Sequence, residues 1–349
     1  MGKKVILKDV ATLLNGRAYK QDELLDSGKY PVLRVGNFFS NRGWFYSDLE
    51  LEDDKYCDNG DLLFAWSASF GPKIWDGGKV IFHYHIWKIL TTPQIDKKYF
   101  YYFLENAADR IKESGHGIAM IHTTKSEMEQ MELLLPEMEQ QLQIATVLDK
   151  VSELIDLRKE QLAKLDELVK ARFVEMFGDK GYPTAKWNEV FYTTTGKLDS
   201  NAMVENGAYP FFTCAKEVFK IDKYAFDQEA LLLAGNNASG KYDVKYYKGK
   251  FNAYQRTYVL GLKKEWSYQL FRYQLEDKLA YLQQQSLGGL TKYLTLKILG
   301  DLEFTIPPMD KQNEFAAFVE QTNKTKLTIQ ASLDKLEVMK KALMQEYFG

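Results

Sequence analysis

The segment LLLAGNNASGKY has residues spaced almost as in a phosphate-binding loop. Such a loop needs glycine, four further residues, a second glycine, lysine, and then serine or threonine. Gly235, Gly240 and Lys241 fit, but Tyr242 stands where a hydroxyl group must bind Mg²⁺. The following residues, KYDVKYYKGKFNAY, alternate as in a hairpin with a turn at 248–249, whereas a phosphate-binding loop precedes a helix. The pattern argues against ATP binding, although a nucleotide-dependent enzyme stays an alternative to test.

A second pattern that could do chemistry is a group of four histidines in the first half of the chain, His83, His85, His116 and His122. The tripeptide HYH places His83 and His85 on one face of a strand, as two metal ligands could be. No cysteine or carboxylate stands at a supporting spacing. We therefore expect polar strand or loop residues and no bound metal.

Composition predicts a globular protein of two domains. The chain has 349 residues, of which 45% are hydrophobic. No apolar run approaches the roughly 18 residues of a membrane span, and the first residues contain no cleavable signal. Cys57 and Cys214 form neither a metal-ligand spacing nor a disulfide framework. We expect a cytoplasmic protein with no membrane association.

Charge is segregated along the chain although the formal net charge is only −2. Residues 180–306 carry 17 lysines and arginines against 13 acidic residues. Within them, residues 241–256 carry five basic residues and one acidic residue among tyrosines and a phenylalanine. That mixture suits contact with nucleic-acid phosphates, and a solvated strand face is the alternative.

The sequence contains an internal repeat, so that its two halves align. The segment PEMEQQLQIATVLD from Pro136 aligns with PPMDKQNEFAAFVE from Pro307, and 12 of 43 aligned positions are identical. Earlier landmarks align more loosely: GKYPVL with GAYPFF, and DLLFAWSASFGPK with ALLLAGNNASGK. This looser alignment places Asn252 and Tyr254 opposite the HYH histidines. We divide the chain into a first module (1–135), a central helix (136–179), a second module (180–306) and a C-terminal helix (307–349).

Both helices show the seam of a coiled coil. Apolar residues of the central helix follow an alternating spacing of four and three. They are Ile144, Leu148, Val151, Ile155, Leu162, Leu165, Val169 and Met176. Pro136 and Pro307 suit the first helical turn, and Gly178 suits a C-terminal cap. We expect the two helices to run antiparallel against each other; the alternative is that each packs on its own module.

The modules combine short strands with one good helix each. Segments such as YPVLRVGNFF and KVIFHYHIWKIL are aromatic and β-branched runs broken by glycine, asparagine and aspartate. Residues 99–114 and 267–284 read as the module helices. The predicted fold class is α+β: two pseudosymmetric α/β modules joined by two long antiparallel helices that form a coiled-coil spacer.

The helical regions resemble those of the specificity (S) subunit of type I restriction-modification systems. The resemblance is carried by LLLPEMEQQLQIATVLDKVSELIDLRKEQLAKLDELVKARFVEMF (133–177) and by the fainter copy FTIPPMDKQNEFAAFVEQ (304–321). The two modules would then be target-recognition domains. The resemblance implies a non-catalytic, DNA-binding protein in which each domain reads one half of a split target and the helices set the spacer.

The resemblance also implies partners. Two DNA adenine methyltransferase subunits would dock on the helices, and motor-nuclease restriction subunits would join them. S-adenosylmethionine, ATP and Mg²⁺ would be held by those partners and not by this chain. An amino-methyltransferase motif is absent here, since Ile306-Pro307-Pro308-Met309 lacks the polar residue and the aromatic residue.

No family motif identifies the residues that contact bases, so we select polar, basic and aromatic residues on loops that can reach base edges. In the first module these are Arg34, Asn37, Asn41, Arg42, Trp66, Ser67 and Lys73. In the second module they are Lys216, Asn236, Asn237, Ser239, Lys241, Gln255 and Arg256. The alternative function is a scaffold that binds no DNA and carries two protein-binding modules, as the near-neutral charge permits.

Overall fold

The computed structural model describes residues 2–40, 43–67, 70–114, 123–238 and 240–349. The chain divides into two units, Met1–Lys159 with Ala331–Gly349, and Glu160–Gln330. Each unit holds one mixed α/β module together with parts of two long helices.

The described residues of the first unit form ten strands, four short or module helices, and parts of two long helices. The strands are β1 (Lys3–Ile6), β2 (Ala11–Asn15), β3 (Tyr30–Leu33), β4 (Phe45–Ser47), β5 (Tyr56–Cys57), β6 (Leu62–Ala65), β7 (Gly71–Ile74), β8 (Val80–Phe82), β9 (Ile86–Thr91) and β10 (Glu132–Leu135). The helices are α1 (Leu7–Val10), α2 (Val35–Phe38), α3 (Lys97–Ser114), α4 (Lys125–Glu129) and α5 (Met138–Phe177). Single 3-10 turns lie at Gln21–Glu23 and Asp53–Lys55.

Two four-stranded sheets build the first module. One has the order β2-β9-β6-β7 and is antiparallel throughout, and the other has the order β4-β3-β8-β5. In the second sheet β3 and β8 are parallel. Strands β1 and β10 pair separately at the two ends of the module sequence. Helix α3 covers the first sheet, and Phe100 and Leu104 are buried with Phe64 and Trp87 in the main core.

The second unit has a similar but not identical order of elements. Its strands are β11 (Thr184–Lys186), β12 (Phe191–Thr195), β13 (Tyr209–Phe212), β14 (Phe219–Ile221), β15 (Phe226–Ala234), β16 (Asn236–Asn237), β17 (Val244–Ala253), β18 (Thr257–Leu262), β19 (Lys292–Tyr293) and β20 (Glu303–Thr305). Its helices are α6 (Trp187–Val190), α7 (Tyr268–Asp277), α8 (Leu279–Gln285), α9 (Leu296–Gly300) and the first part of α10 (Met309–Phe348), with a 3-10 turn at Ser200–Ala202.

A single six-stranded sheet, β12-β18-β15-β17-β13-β14, dominates the second module. Strand β17 joins what would otherwise be two sheets, because it pairs with β15 along most of its length and with β13 at its last residues. The predicted hairpin turn at 248–249 is therefore wrong. Gly249 lies within the strand at φ 129, a conformation that glycine adopts easily and other residues rarely do.

The long helices pair in opposite directions within each unit. In the second unit Asp166 forms an ion pair with Lys326, and Arg172 forms one with Glu314. In the first unit Lys159 Nζ lies 3.4 Å from Glu337. The predicted mixed fold with two modules and antiparallel long helices is confirmed, whereas the role of the helices as a spacer stays a prediction.

One buried glutamine fixes the start of each long helix. Gln141 is 0% exposed; its Nε2 donates to the Pro136 carbonyl at 2.8 Å, and its Oε1 accepts from the Asp96 N–H at 2.8 Å. Gln312 does the same with the Pro307 carbonyl at 2.8 Å and the Ser267 N–H at 3.0 Å. Each glutamine thereby ties the start of a long helix to the start of a module helix.

Two helix boundaries differ from the predictions. The single helix predicted over 267–284 is broken into α7 and α8 at Lys278. Helix α3, which corresponds to the helix predicted over 99–114, runs unbroken. At the end of α5 the left-handed residue is Asp179, with φ 48, and not Gly178. Among the described residues, no helix is long and apolar enough to cross a membrane.

Candidate nucleic-acid interface

A tight turn joins β8 to β9 in the first unit, and Tyr84 and His85 lie at its tip. The Ile86 N–H donates to the His83 carbonyl at 2.9 Å, which closes the turn. The Tyr84 N–H donates to the Arg17 carbonyl at 3.1 Å. The expectation that both histidines lie on one strand face is wrong, because the strand ends at Phe82.

The second unit contains the same turn between β17 and β18, and its tip residues are Gln255 and Arg256. The Thr257 N–H donates to the Tyr254 carbonyl at 2.8 Å, and the Gln255 N–H donates to the Leu198 carbonyl at 2.9 Å. Both tip residues are exposed.

These bonds correct the looser sequence alignment. Tyr254 corresponds to His83 and Arg256 to His85, because each pair makes the same backbone contacts. The sequence had placed Asn252 and Tyr254 opposite the two histidines. Counting back from the aligned long helices at their offset would have given the right pairs, and would have marked Tyr84 and His85 as candidates.

Trp66 holds the turn of the first unit. Its indole Nε1–H donates to the Tyr84 carbonyl at 2.8 Å, and its backbone N–H donates to the His85 carbonyl at 3.0 Å. The ring stacks on Trp87 with centroids 5.8 Å apart. Trp66 is only partly buried, so it supports the turn while part of its side chain stays accessible beside it.

The two histidines of this turn are neutral near pH 7. Burial, with smaller contributions from the charges of His85 and Arg34, lowers the pKa of His83 to about 4. Burial also lowers the pKa of His85. A neutral imidazole has one donor and one acceptor nitrogen, and so it can bind groups of either kind.

The other candidates of the first module occupy different environments. Arg34 lies with its guanidinium 5.0 Å from the centre of the Phe45 ring. Asn37 is 7% exposed, and its side chain accepts from the Arg34 N–H at 2.7 Å, so it is committed to the start of α2. Lys73 forms an ion pair with Asp76 at 3.0 Å. Ser67 is buried.

In the second module a short ribbon fixes the asparagine segment. Asn236 and Asn237 form β16 and pair with β19. Beyond them Lys241 is exposed, whereas Tyr242 is buried. The chain then enters strand β17 and no helix, so the local structure differs from that of a phosphate-binding loop.

The turn of the second unit collects several candidates around it. The Gly235 N–H, directly before β16, donates to the Arg256 carbonyl at 2.8 Å. The Cys214 thiol donates to the same carbonyl at 3.4 Å, two residues before the exposed Lys216. The structure thus brings together the loops that carry Lys216, Asn236 and Arg256.

Three sequence-selected residues, Asn41, Arg42 and Ser239, lie outside the described residues, as do His116 and His122. Across the ranges that are described, no group of three or more histidine, cysteine, aspartate or glutamate side chains could hold a metal ion.

The family model described as "Type I restriction modification DNA specificity domain" matches residues 3–167 and, a second time, residues 180–338. One match therefore falls on each module with its following helix. The matches confirm the resemblance drawn from the helical segments.

Two relatives are specificity subunits from Escherichia coli. That of type I restriction enzyme EcoDI is 38% identical over 138 residues, covering 39% of this chain and 30% of the relative. That of EcoBI is 21% identical over 169 residues, covering 48% and 36%. The matched segments thus span about a third of the length of each relative.

Solved structures share the fold over the whole chain. The type I restriction-modification S subunit from M. genitalium has a TM-score of 0.65 at 16% identity, covering 100% of this chain and 96% of that one. A structure solved to explain complex assembly and conformational transition of the type I R-M system has a TM-score of 0.55 at 15% identity, with coverages of 99% and 97%.

Proposed function

The chain belongs to the type I restriction modification DNA specificity family, and we propose that it recognises a bipartite sequence in double-stranded DNA without catalysing a reaction itself. Each module reads one half of the target. The observation that carries this proposal is the duplicated family domain, with one copy on each module. Each copy also presents exposed polar residues on a turn held by backbone hydrogen bonds.

The long helices set the distance between the two half-sites. Each has 40 residues, which corresponds to about 60 Å at 1.5 Å per residue. The antiparallel pairing within each unit supports this role, because paired helices are stiffer than a single one. The unread bases between the half-sites lie within this span, since one duplex turn is about 34 Å long.

The helices also bind two DNA adenine methyltransferase subunits. Apolar side chains that are exposed along α5 support such a surface. They are Met138, Leu142, Val147, Leu154, Leu157, Leu168 and Val174. The methyltransferases bring S-adenosylmethionine, and motor-nuclease subunits with ATP and Mg²⁺ join the assembly, which works in the cytoplasm.

The test is to express the full chain with its methyltransferase partner and to sequence the methylated adenines of the host genome. We expect one split motif with two defined halves and a spacer of constant length. Methylation at no split motif, with both proteins soluble and associated, would contradict the proposal.

Salt dependence separates DNA reading from the alternative role as a protein-binding scaffold. Binding of the assembled complex to a duplex that contains the motif should weaken steeply between about 50 and 200 mM salt, because phosphate contacts release counterions. A complex that binds DNA no better at 50 mM than at 200 mM would favour the scaffold.

A further inference from the structure

We infer that the turns 83–86 and 254–257 are the corresponding specificity-determining elements of the two modules, so that Tyr84 with His85 and Gln255 with Arg256 each select bases in one half-site. This inference rests on the proposed function. It goes further because it assigns base selection to one defined turn in each module.

The backbones of the two turns are held in the same way. The His83 N–H donates to the Leu33 carbonyl at 2.9 Å, and the Tyr254 N–H donates to the Phe212 carbonyl at 2.9 Å. The hydrogen bond that closes each turn has a counterpart in the other turn. So does the hydrogen bond from the first tip residue, Tyr84 or Gln255, to an earlier segment of its module. The peptide groups of both turns are therefore fixed before any ligand binds.

A glycine brings the preceding strand close to each turn. A Cβ atom on Gly16 would lie 2.4 Å from the carbonyl oxygens of Phe82 and His83, and one on Gly196 would lie 1.8 Å from the Ala253 carbonyl oxygen. Real Cβ atoms do not approach backbone oxygens so closely, so both positions need glycine. The two modules have kept this close approach although the residues around it differ.

The side chains at the tips differ completely, and core packing does not explain the difference. Tyr84 is 39% exposed, and Gln255 and Arg256 are also exposed. Within the described part of the chain, no carboxylate lies within 4.0 Å of the Arg256 guanidinium nitrogens. A fixed backbone with different side chains, exposed except for the partly buried His85, is what two readers of different sequences require.

The side chains suit recognition of base edges. Arginine can donate two hydrogen bonds to guanine O6 and N7, and glutamine can pair with adenine N6 and N7. Neutral His85 offers one donor and one acceptor, and Tyr84 offers a hydroxyl and an apolar ring that can contact a thymine methyl group. The half-site of the second module should therefore depend on a purine that Arg256 reads.

The experiment compares methylation motifs of the full chain, assembled with its methyltransferase partner, after Arg256→Ala, Gln255→Ala, Tyr84→Ala or His85→Ala. Each second-module variant should relax at least one base position of one half-site by about tenfold. The first-module variants should relax the other half-site. The unaffected half-site and the spacer length should stay as in the wild type.

Two controls make the result decisive. Lys220→Ala removes an exposed positive charge from edge strand β14 of the same module and should leave the motif unchanged. Arg256→Lys keeps the positive charge but replaces the rigid planar guanidinium with a flexible ammonium group, so it should relax the same base position less than Arg256→Ala does, while salt dependence stays unchanged.

If the folded Arg256→Ala and Arg256→Lys proteins both methylated the same motif as the wild type, with no base position relaxed in either half-site, the inference would be overturned. An equal loss of affinity for all sequences would also overturn it, because it would mark Arg256 as a phosphate contact. Failure of the proposed function looks different: the wild-type assembly itself would then methylate no split motif.

Discussion

The two modules differ most where one continuous strand in the second corresponds to two strands in the first. Strand β17 runs without a break from Val244 to Ala253. In the first module β7 ends at Ile74 and β8 begins at Val80. Yet the parallel pairing of β8 with β3 has the same length and position as that of β17 with β13. The path into the turn varies, whereas the last pairing before it does not.

The turns that follow show the same division between backbone and side chain. His83 stands where the second module has Tyr254, and His85 stands where it has Arg256. The first turn carries aromatic side chains and is supported by Trp66. The second turn carries the long side chains of Gln255 and Arg256, of which Arg256 is basic. This difference indicates that the fold requires the turn's geometry and leaves its chemistry free.

The largest loss of stability should come from replacing the two buried glutamines, because each replacement leaves buried polar groups without a partner. The two sites serve the same purpose with different numbers of hydrogen bonds. Gln141→Leu removes partners from the Pro136 carbonyl, the Asp96 N–H and the Gln94 carbonyl. Gln312→Leu removes two, at Pro307 and Ser267. At about 1 kcal/mol for each orphaned group, we expect unfolding free energies to fall by about 3 and 2 kcal/mol.

Urea denaturation measures these losses, and hydrogen exchange of peptides from α3 and α7 shows in which unit they arise. Gln140→Leu is the matched control, since Gln140 is the exposed neighbour of Gln141. If Gln141→Leu were no more destabilising than Gln140→Leu, the buried amide would not be what fixes the helix to the module.

The long helices were predictable from the sequence because their signal is local and repeated. The seam from Ile144 to Ile155 recurs every seven residues and is buried in the structure. Entry into the helix was less well predicted. The helices begin at Met138 and Met309, two residues after the prolines assigned to their first turn. There the carbonyl groups of Pro136 and Pro307 accept from the buried glutamines five residues later, a side-chain contact that leaves no periodic signal.

The candidate site was harder to predict because its residues are brought together by strand pairing. Trp66, Gln255 and Arg256 were selected as polar or aromatic loop residues, and the structure places all three at the turns. Tyr84 and His85 were missed because HYH read as part of a strand. The lysine and glycine at 248–249 gave a turn signal inside β17, since composition alone does not tell a strand glycine from a turn glycine.

A smaller effect is expected at Gly249, where the continuous strand has a positive φ. Gly249→Ala should destabilise the second unit by about 1 to 2 kcal/mol. Backbone strain alone causes this loss, because the nearest atom to an added Cβ lies 3.6 Å away. Gly78→Ala, in the break between β7 and β8, is the matched control, since it has open space and no positive φ. Thermal unfolding measures both, and equal stability of the two variants would contradict the strain.

The smallest effect concerns pH and should appear in the first turn alone. The pKa of His83 is lowered to about 4, mainly by burial, from about 6.5 in an unfolded chain. The fold therefore favours the neutral imidazole. This contribution to stability is fully present above about pH 6.5 and is lost as the pH falls towards 4. Because His83 is half-exposed, we expect a loss of roughly 1 kcal/mol or less.

Hydrogen exchange of the two turn peptides at pH 7 and pH 4.5, corrected for the intrinsic rate, measures this difference. The peptide around 83–86 should lose protection at the lower pH, whereas the peptide around 254–257, which contains no histidine, should not. His83→Phe keeps an aromatic ring that can stack on Tyr19, as His83 does with centroids 6.3 Å apart. It should remove most of the dependence without opening the turn at pH 7, and the remainder belongs to His85, whose pKa is also lowered by burial. If both turns lost protection equally, or if the Phe variant kept the whole dependence, His83 would not be its main source, because a phenyl ring has no group that titrates.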